Sequence, residues 1–362
     1  MANEGVSVSV SEDVEVRWYN NPTQLPGFLD EGVLDYGEEV SRMTMLTSWS
    51  NWNLYTQLDQ VSLFANRYYL DDVPYTENDL HGGRDSVFGP SHAVFLEKMR
   101  LSIEKPAYSI SLGDTYAAFG RGIALNINRN VDIDIDTSIR GFRTVYRPGA
   151  WDITAVGGVL NRQQVFQDNA NLTLPETYGH MVAGVRVERF GLGNANVGAH
   201  GVVYNFADTE GLSASIQNVG TGPDAFVGGL TGEYAGFLGM DVYAEANLFS
   251  YPVPAGEEVS VLTNQSEGTT GHAAYLSSAA YLGSTTWLFE AKSYQGSEHI
   301  NSLVGSEQYV VATAPTLEYE RVITEDSAAA LGSNDIYGGK VRMDWTVRPG
   351  EFVPYMSLAV FR

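Results

Sequence analysis

The sequence alternates with a period of two, over segments longer than most soluble strands. Val6, Val8, Val10, Val14, Val16 and Trp18 share one parity, while Ser7, Ser9, Ser11, Asp13, Glu15 and Arg17 share the other, with Glu12 the one violation. Leu238, Met240, Val242, Ala244, Ala246 and Leu248 alternate with Asp241, Tyr243, Glu245 and Asn247. Tyr337, Val341, Met343, Trp345 and Val347 alternate with Lys340, Arg342, Asp344, Thr346 and Arg348. Successive side chains of a strand point to opposite faces, so each segment predicts a strand with one apolar and one charged face. Looser alternation predicts further strands at 40–49, 52–65, 93–104, 107–117, 137–147, 150–160, 179–190, 195–206, 225–234, 273–282, 285–295, 308–320 and 352–361. A tilted strand crosses hydrocarbon with about 9–11 residues, whereas globular strands average about 5–6. Segment length therefore favours a membrane-crossing array over a secreted sandwich or solenoid.

No stretch approaches the roughly 18 consecutive apolar residues of a spanning helix. A chain of this kind can cross a bilayer only as a closed barrel, which pairs every backbone group between neighbouring strands. Arg or Lys on a lipid-facing strand position costs roughly 2–4 kcal/mol at the bilayer centre, so the charged parities are expected to face the lumen. The expectation is an all-β fold: one closed antiparallel transmembrane β-barrel of about 16–18 strands, a single domain over residues 1–362.

Connections carry the same message. Short turns are expected at Lys105-Pro106, Pro148-Gly149, Gly191–Asn194, Gly283-Ser284 and Pro349-Gly350, and long polar connections at 21–39, 66–92, 161–178, 250–270 and 296–307. Barrels of the Gram-negative outer membrane alternate short periplasmic turns with longer outer loops. The pattern breaks near Phe119–Gly122 and near Ala235–Phe237, where a strand is continuous, bent inward or split. Phe361 is followed by Arg362, so the terminal aromatic usual in such barrels is displaced by one: either a tolerated variant or a barrel continuing past residue 362.

Composition narrows the function classes. An aromatic share of 12% with 38 glycines favours strands and turns. A formal charge of −23 repels nucleic-acid phosphates, so no nucleic-acid partner is expected. With no cysteine there is neither a disulfide framework nor a thiolate metal site. The polar start Met1–Gly5 lacks an export signal, which fits either an exported chain numbered from near its mature end or a cytoplasmic one.

Gly113–Leu125 is the most distinctive segment. Glycines flank Arg121, and they permit a sharp bend or a close backbone approach. One reading is an inward bend that presents Arg121 to a lumen; the other is a strand corner in which Arg121 only pairs an acid. This run, with Asp136–Gly141, resembles a porin-like family of outer-membrane proteins of uncharacterised function. The resemblance implies an outer-membrane barrel and carries over no catalytic residue.

Other candidates are weaker. Asp132, Asp134 and Asp136 have the alternate-carboxylate spacing of a calcium loop, but Thr137 stands where the turn glycine belongs. His81, His92, His180, His200, His272 and His299 include no pair at zinc spacing. Seventeen of the 21 basic residues are Arg, and Arg100, Arg121, Arg129, Arg140, Arg143, Arg147, Arg186 and Arg189 gather mid-chain. Arg140 and Arg143 have opposite parity, so a regular strand cannot aim both at a lumen.

The expected function is a porin-like channel for passive passage of small hydrophilic solutes, with no enzymatic activity, cofactor or metal. Arg121, Asp241, Glu245, Lys340, Arg342 and Asp344 are the expected pore-lining residues. Expected partners are outer-membrane lipid and the solutes, with a protein partner or homo-oligomer left open. The alternatives are a plugged barrel acting as scaffold or receptor, and a soluble extracellular glycan-binding β-protein.

Overall fold

A computed structural model describes residues 5–24, 31–69, 91–127, 129–130, 135–136, 138–161, 181–205, 225–251, 269–296, 336–347 and 352–362. Every regular element among them is a strand. The chain divides into two compact units, residues 1–104 with 163–176, and residues 105–162 with 177–362.

The first unit carries β1 (Ser7–Gln24), β2 (Glu31–Trp49), β3 (Trp52–Tyr69) and β4 (Ser91–Lys105). Each pairs antiparallel with the next in sequence order. Much of the connection expected at 21–39 is strand, leaving only 25–30 between β1 and β2. On the covered face Arg42 lies opposite Asp59 in the register and bonds it at 3.3 Å. A bulge sets Gln57 opposite Lys98 but Leu58 opposite Leu96. The extra residue, Glu97, is buried with Lys98, because a bulge breaks strict alternation locally.

The second unit carries β5 (Tyr108–Thr115), β6 (Ala117–Phe119), β7 (Leu125–Ile127), β8 (Arg129–Asn130), β9 (Ile135–Asp136), β10 (Ser138–Tyr146), β11 (Trp151–Asn161), β12 (Met181–Leu192), β13 (Ala195–Asn205), β14 (Ala225–Phe237), β15 (Met240–Tyr251), β16 (Thr269–Leu282), β17 (Thr285–Gln295), β18 (Ile336–Trp345) and β19 (Tyr355–Phe361). β5 and β10–β19 pair antiparallel in that order, while β6 with β7 and β8 with β9 form two small separate hairpins. The strand expected at 308–320 lies outside the described residues, as do Asp132 and Asp134.

In a sequence-ordered antiparallel meander every second connection returns to the same edge. In the second unit that edge, the turn edge, holds the short connections at 106–107, 147–150, 193–194, 238–239 and 283–284, and there β18 ends at Trp345 and β19 begins at Tyr355; the turn expected at Pro349-Gly350 lies outside the described residues. Leu238 corrects one sequence expectation: it is a turn residue and not the first apolar position of β15. Its φ is +53° and that of Gly239 is +81°. Two consecutive positive φ values give the twist that a two-residue hairpin needs. Exposed aromatics collect at this edge: Tyr146, Trp151, Phe190, Tyr234, Phe237, Tyr281 and Trp345. Arg189 sits over the Trp151 ring at 5.3 Å, and Tyr234 meets Phe237 edge-to-face at 6.2 Å.

Candidate functional site

The two faces of the second unit's sheet are inverted relative to a water-soluble protein. On β15 the alternation is strict: Ala244, Ala246 and Leu248 are exposed, while Tyr243, Glu245, Asn247 and Phe249 are buried. Neighbouring strands repeat it, with Leu230 66% and Leu248 71% exposed, joined by Leu112, Phe142, Met181, Val185, Val197, Phe226 and Leu276. The covered face holds Arg186, His200, Glu245, Asn247, Glu290 and Arg342. Charged residues are almost never fully buried in soluble proteins, and their exposed apolar patches rarely exceed a few hundred Å². An apolar exterior over a charged interior, rimmed by aromatics, is the surface a bilayer demands of spanning strands.

The break seen in the sequence at 119–122 is an inward bend. After β5 the chain leaves the sheet, folds as the β6–β7 hairpin and lies on the covered face. Gly120 and Gly122, at φ +60° and +92°, make the tight tip, where a side chain would be strained. Phe119, 1% exposed, and the buried Ile123, Ala124, Leu125 and Ile127 pack on Ile139, Val156, Leu160, Val182, Val202, Tyr204, Val227 and Phe249. Tyr204 donates its hydroxyl to the Ala124 carbonyl at 2.6 Å. Gly184 leaves room for Phe119: a Cβ there would stand 2.8 Å from the ring.

The same tip carries Arg121. Its backbone N–H donates to Glu245 Oε2 at 2.8 Å, and its exposed guanidinium lies 4.8 Å from the centre of the Tyr243 ring. Beside it opens a cavity of about 430 Å³, lined by Arg121, Arg143, Arg147 and Arg186 against Asp152, Glu188 and Glu233, among others. Arg186 bonds Glu188 at 2.7 Å, and Arg147 bonds Asp152 at 3.2 Å.

The remaining expected residues fall on one face. Directly opposed residues of an antiparallel pair share a face. The register runs Asp241–Ala279–Leu288–Arg342–Ser357 across four pairings. Glu245, Lys340 and Asp344 are an even number of positions along from members of that row, so they share its face. Arg121 lies over this face on the hairpin. Asp241 is exposed near the turn edge and accepts the Gly236 N–H at 3.3 Å. Arg342 bonds Asp344 at 2.6 Å and sits over Tyr355 at 4.6 Å. Glu245 is 3% exposed beneath the hairpin tip. Arg143 lines the cavity while Arg140, of opposite parity, bonds the buried Asp114 at 3.2 Å on the other face. Arg147, Asp152, Glu188 and Glu233 were not among the expected lining residues. Their common signal was parity with Arg143 and Arg186 near turns.

No protein-family model matches this chain, and no curated protein does. Solved structures do show a likeness. The outer membrane protein OpdK of Pseudomonas aeruginosa is 9% identical, over 98% of this chain and 81% of its own, at a TM-score of 0.46. OccK2 (OpdF) of the same organism, in complex with glucuronate, is 8% identical over 96% and 78%, at 0.46. A BenF-like porin from Pseudomonas fluorescens Pf-5 is 7% identical over 94% and 78%, at 0.43. Likenesses this loose assign no function to this chain.

Proposed function

We propose that this chain is a porin-like outer-membrane β-barrel through which small hydrophilic solutes pass passively, a channel and not an enzyme. The observation that carries this reading is the inversion of faces around a charged cavity that an inward hairpin narrows. Arg121, Lys340, Arg342 and Asp344 line the passage in this reading, Asp241 stands near its turn-edge mouth, and Glu245 lies under the hairpin. Lipid contacts the apolar face. A basic row opposite an acidic row sets up a transverse field that biases which ions pass.

Planar-bilayer recording of the purified, folded protein tests this, and stepwise conductance is the expected result. A second reading, a plugged barrel serving as scaffold or receptor, draws on the apolar packing of the hairpin against the covered face. A folded protein that conducts only after residues 117–127 are deleted would favour the plug. The membrane part is tested separately by Leu230→Arg. A charge there is expected to weaken folding into vesicles by ~2–4 kcal/mol in a urea titration, and an unchanged midpoint would place that face against water.

A further inference from the structure

The hairpin tip has two kinds of attachment, apolar packing and one carboxylate. Glu245 Oε2 accepts the Arg121 N–H at 2.8 Å and the Tyr243 hydroxyl at 2.5 Å, and Oε1 accepts from Asn247 Nδ2 at 2.9 Å. The backbone of the tip comes so close that a Cβ on Gly120 would fall 2.4–2.6 Å from the carboxylate atoms. A buried carboxylate is tolerated only when its oxygens are satisfied, and bonds to a charged acceptor are the strong ones.

The attachment continues into the cavity wall. Asn247 spends its amide N–H on Glu245, so its Oδ1 accepts from His200 Nε2 at 2.6 Å. His200 Nδ1 is then the acceptor facing Arg186 Nη1 at 3.3 Å. The network so assigns a neutral ring with its proton on Nε2. Arg186 also bonds Glu188 at 2.7 Å and Thr231 at 3.1 Å. Donation thus runs from Arg186 through His200 and Asn247 to Glu245, which also accepts from the Arg121 backbone at the tip.

We infer that Glu245 is a positioning residue: it latches the β6–β7 hairpin to the wall and fixes where Arg121 stands in the passage. It does so from beneath the tip and is not itself a surface that solutes meet. The electrical part of this inference rests on the channel reading; the latch itself does not. A carboxamide cannot replace the carboxylate without disturbing the chain. With its oxygen on the Arg121 N–H, its Nε2 would face the Asn247 amide N–H, and turning Asn247 over would present a donor to His200 Nε2–H; with its oxygen on Asn247, its Nε2 would face the Arg121 N–H itself.

The test uses the absence of native cysteine. Ile123→Cys places a thiol at a site buried under the docked hairpin, in an otherwise cysteine-free chain. A water-soluble maleimide should label it slowly in the folded protein. Adding Glu245→Ala should raise the labelling rate roughly tenfold or more, the scale of losing one charge-assisted hydrogen bond. Glu245→Gln should fall between the two. Heat-modifiable gel migration confirms that the sheet is folded. If the Ala variant does not fold, Gly120→Ala answers the same question with the carboxylate chemically intact, because its Cβ and the carboxylate cannot share that space, so either the tip or the carboxylate moves and the bond between them is lost. Bilayer recordings should show added open-state current noise in the same variants. Unchanged labelling in folded Glu245→Ala, or in folded Gly120→Ala, overturns the latch. Faster labelling in a wild-type background that never conducts leaves the latch standing and removes the channel.

Discussion

The covered face of the second unit carries two chemistries on the same strands. Away from the turn edge its inward positions are apolar: Ile139 on β10, Leu160 on β11, Val182 on β12, Val202 and Tyr204 on β13, Ala225 and Val227 on β14, Phe249 and Tyr251 on β15. Towards the turn edge the same parity becomes charged: Arg143 and Arg147, Asp152, Arg186 and Glu188, Glu233, Glu245. The hairpin occupies the first zone and leaves the second open as the cavity. A strand's parity says which face a residue occupies; what lies over that face decides which residues suit it. Apolar side chains suit the first zone because protein covers them, and charged ones suit the second because they have partners and space.

Substitutions can break or sharpen this division. The largest effect is expected from Phe119→Ala, which empties the middle of the apolar seat. Removing a fully buried Phe costs ~3–5 kcal/mol, enough to undock the hairpin, so single-channel conductance should rise. An unaltered conductance would mean that the seat does not hold the hairpin. Gly184→Leu attacks the same contact from the wall. Overpacking costs ~1–3 kcal/mol, and the expected sign is faster maleimide labelling at Ile123→Cys, whereas no change would show that Phe119 can move aside freely. Tyr204→Phe keeps the ring and removes the bond to the Ala124 carbonyl, a loss of ~1 kcal/mol to be read from the urea midpoint. The smallest effect belongs to the charged zone. Arg143→Gln should leave conductance and folding near wild type and move the permeability ratio towards cations by about twofold, read as a reversal potential in a salt gradient. If it disturbs folding as Phe119→Ala does, the two zones are not separable.

The two-zone arrangement also explains which parts of the structure were legible in the sequence. β15 was plain because Ala244, Ala246 and Leu248 are exposed against Glu245 and Asn247. On β11, β13 and β14 the alternation is blurred, because near the hairpin both faces are apolar: Val203 is half-buried between the buried Val202 and Tyr204, and Phe226 is exposed while Val227 is buried. Periodicity of hydrophobicity fades where both sides of a strand are dry. The bend at Gly120 and Gly122 was visible as glycines around an arginine, but not what it lands on. Its carboxylate partner is 124 positions away, and no local pattern encodes that distance. The opposite parity of Arg140 and Arg143 did read correctly, since that argument needs only the geometry of one strand. Leu238 misled because an apolar residue between Phe237 and Gly239 fits a strand end as well as a turn.

Sequence distance has a further consequence for assembly. The hairpin sits between β5 and β10, yet its seat reaches Tyr275 and Tyr294 on β16 and β17. The strands that flank the hairpin are thus near it in sequence, whereas the surface that receives it is spread along the chain as far as β17. Loop-closure entropy makes such distant contacts late. Phe119 and Leu125 are therefore expected to find their full seat only once strands some 150 residues further along have paired, which makes docking a late step: the wall forms first, and the constriction is installed afterwards.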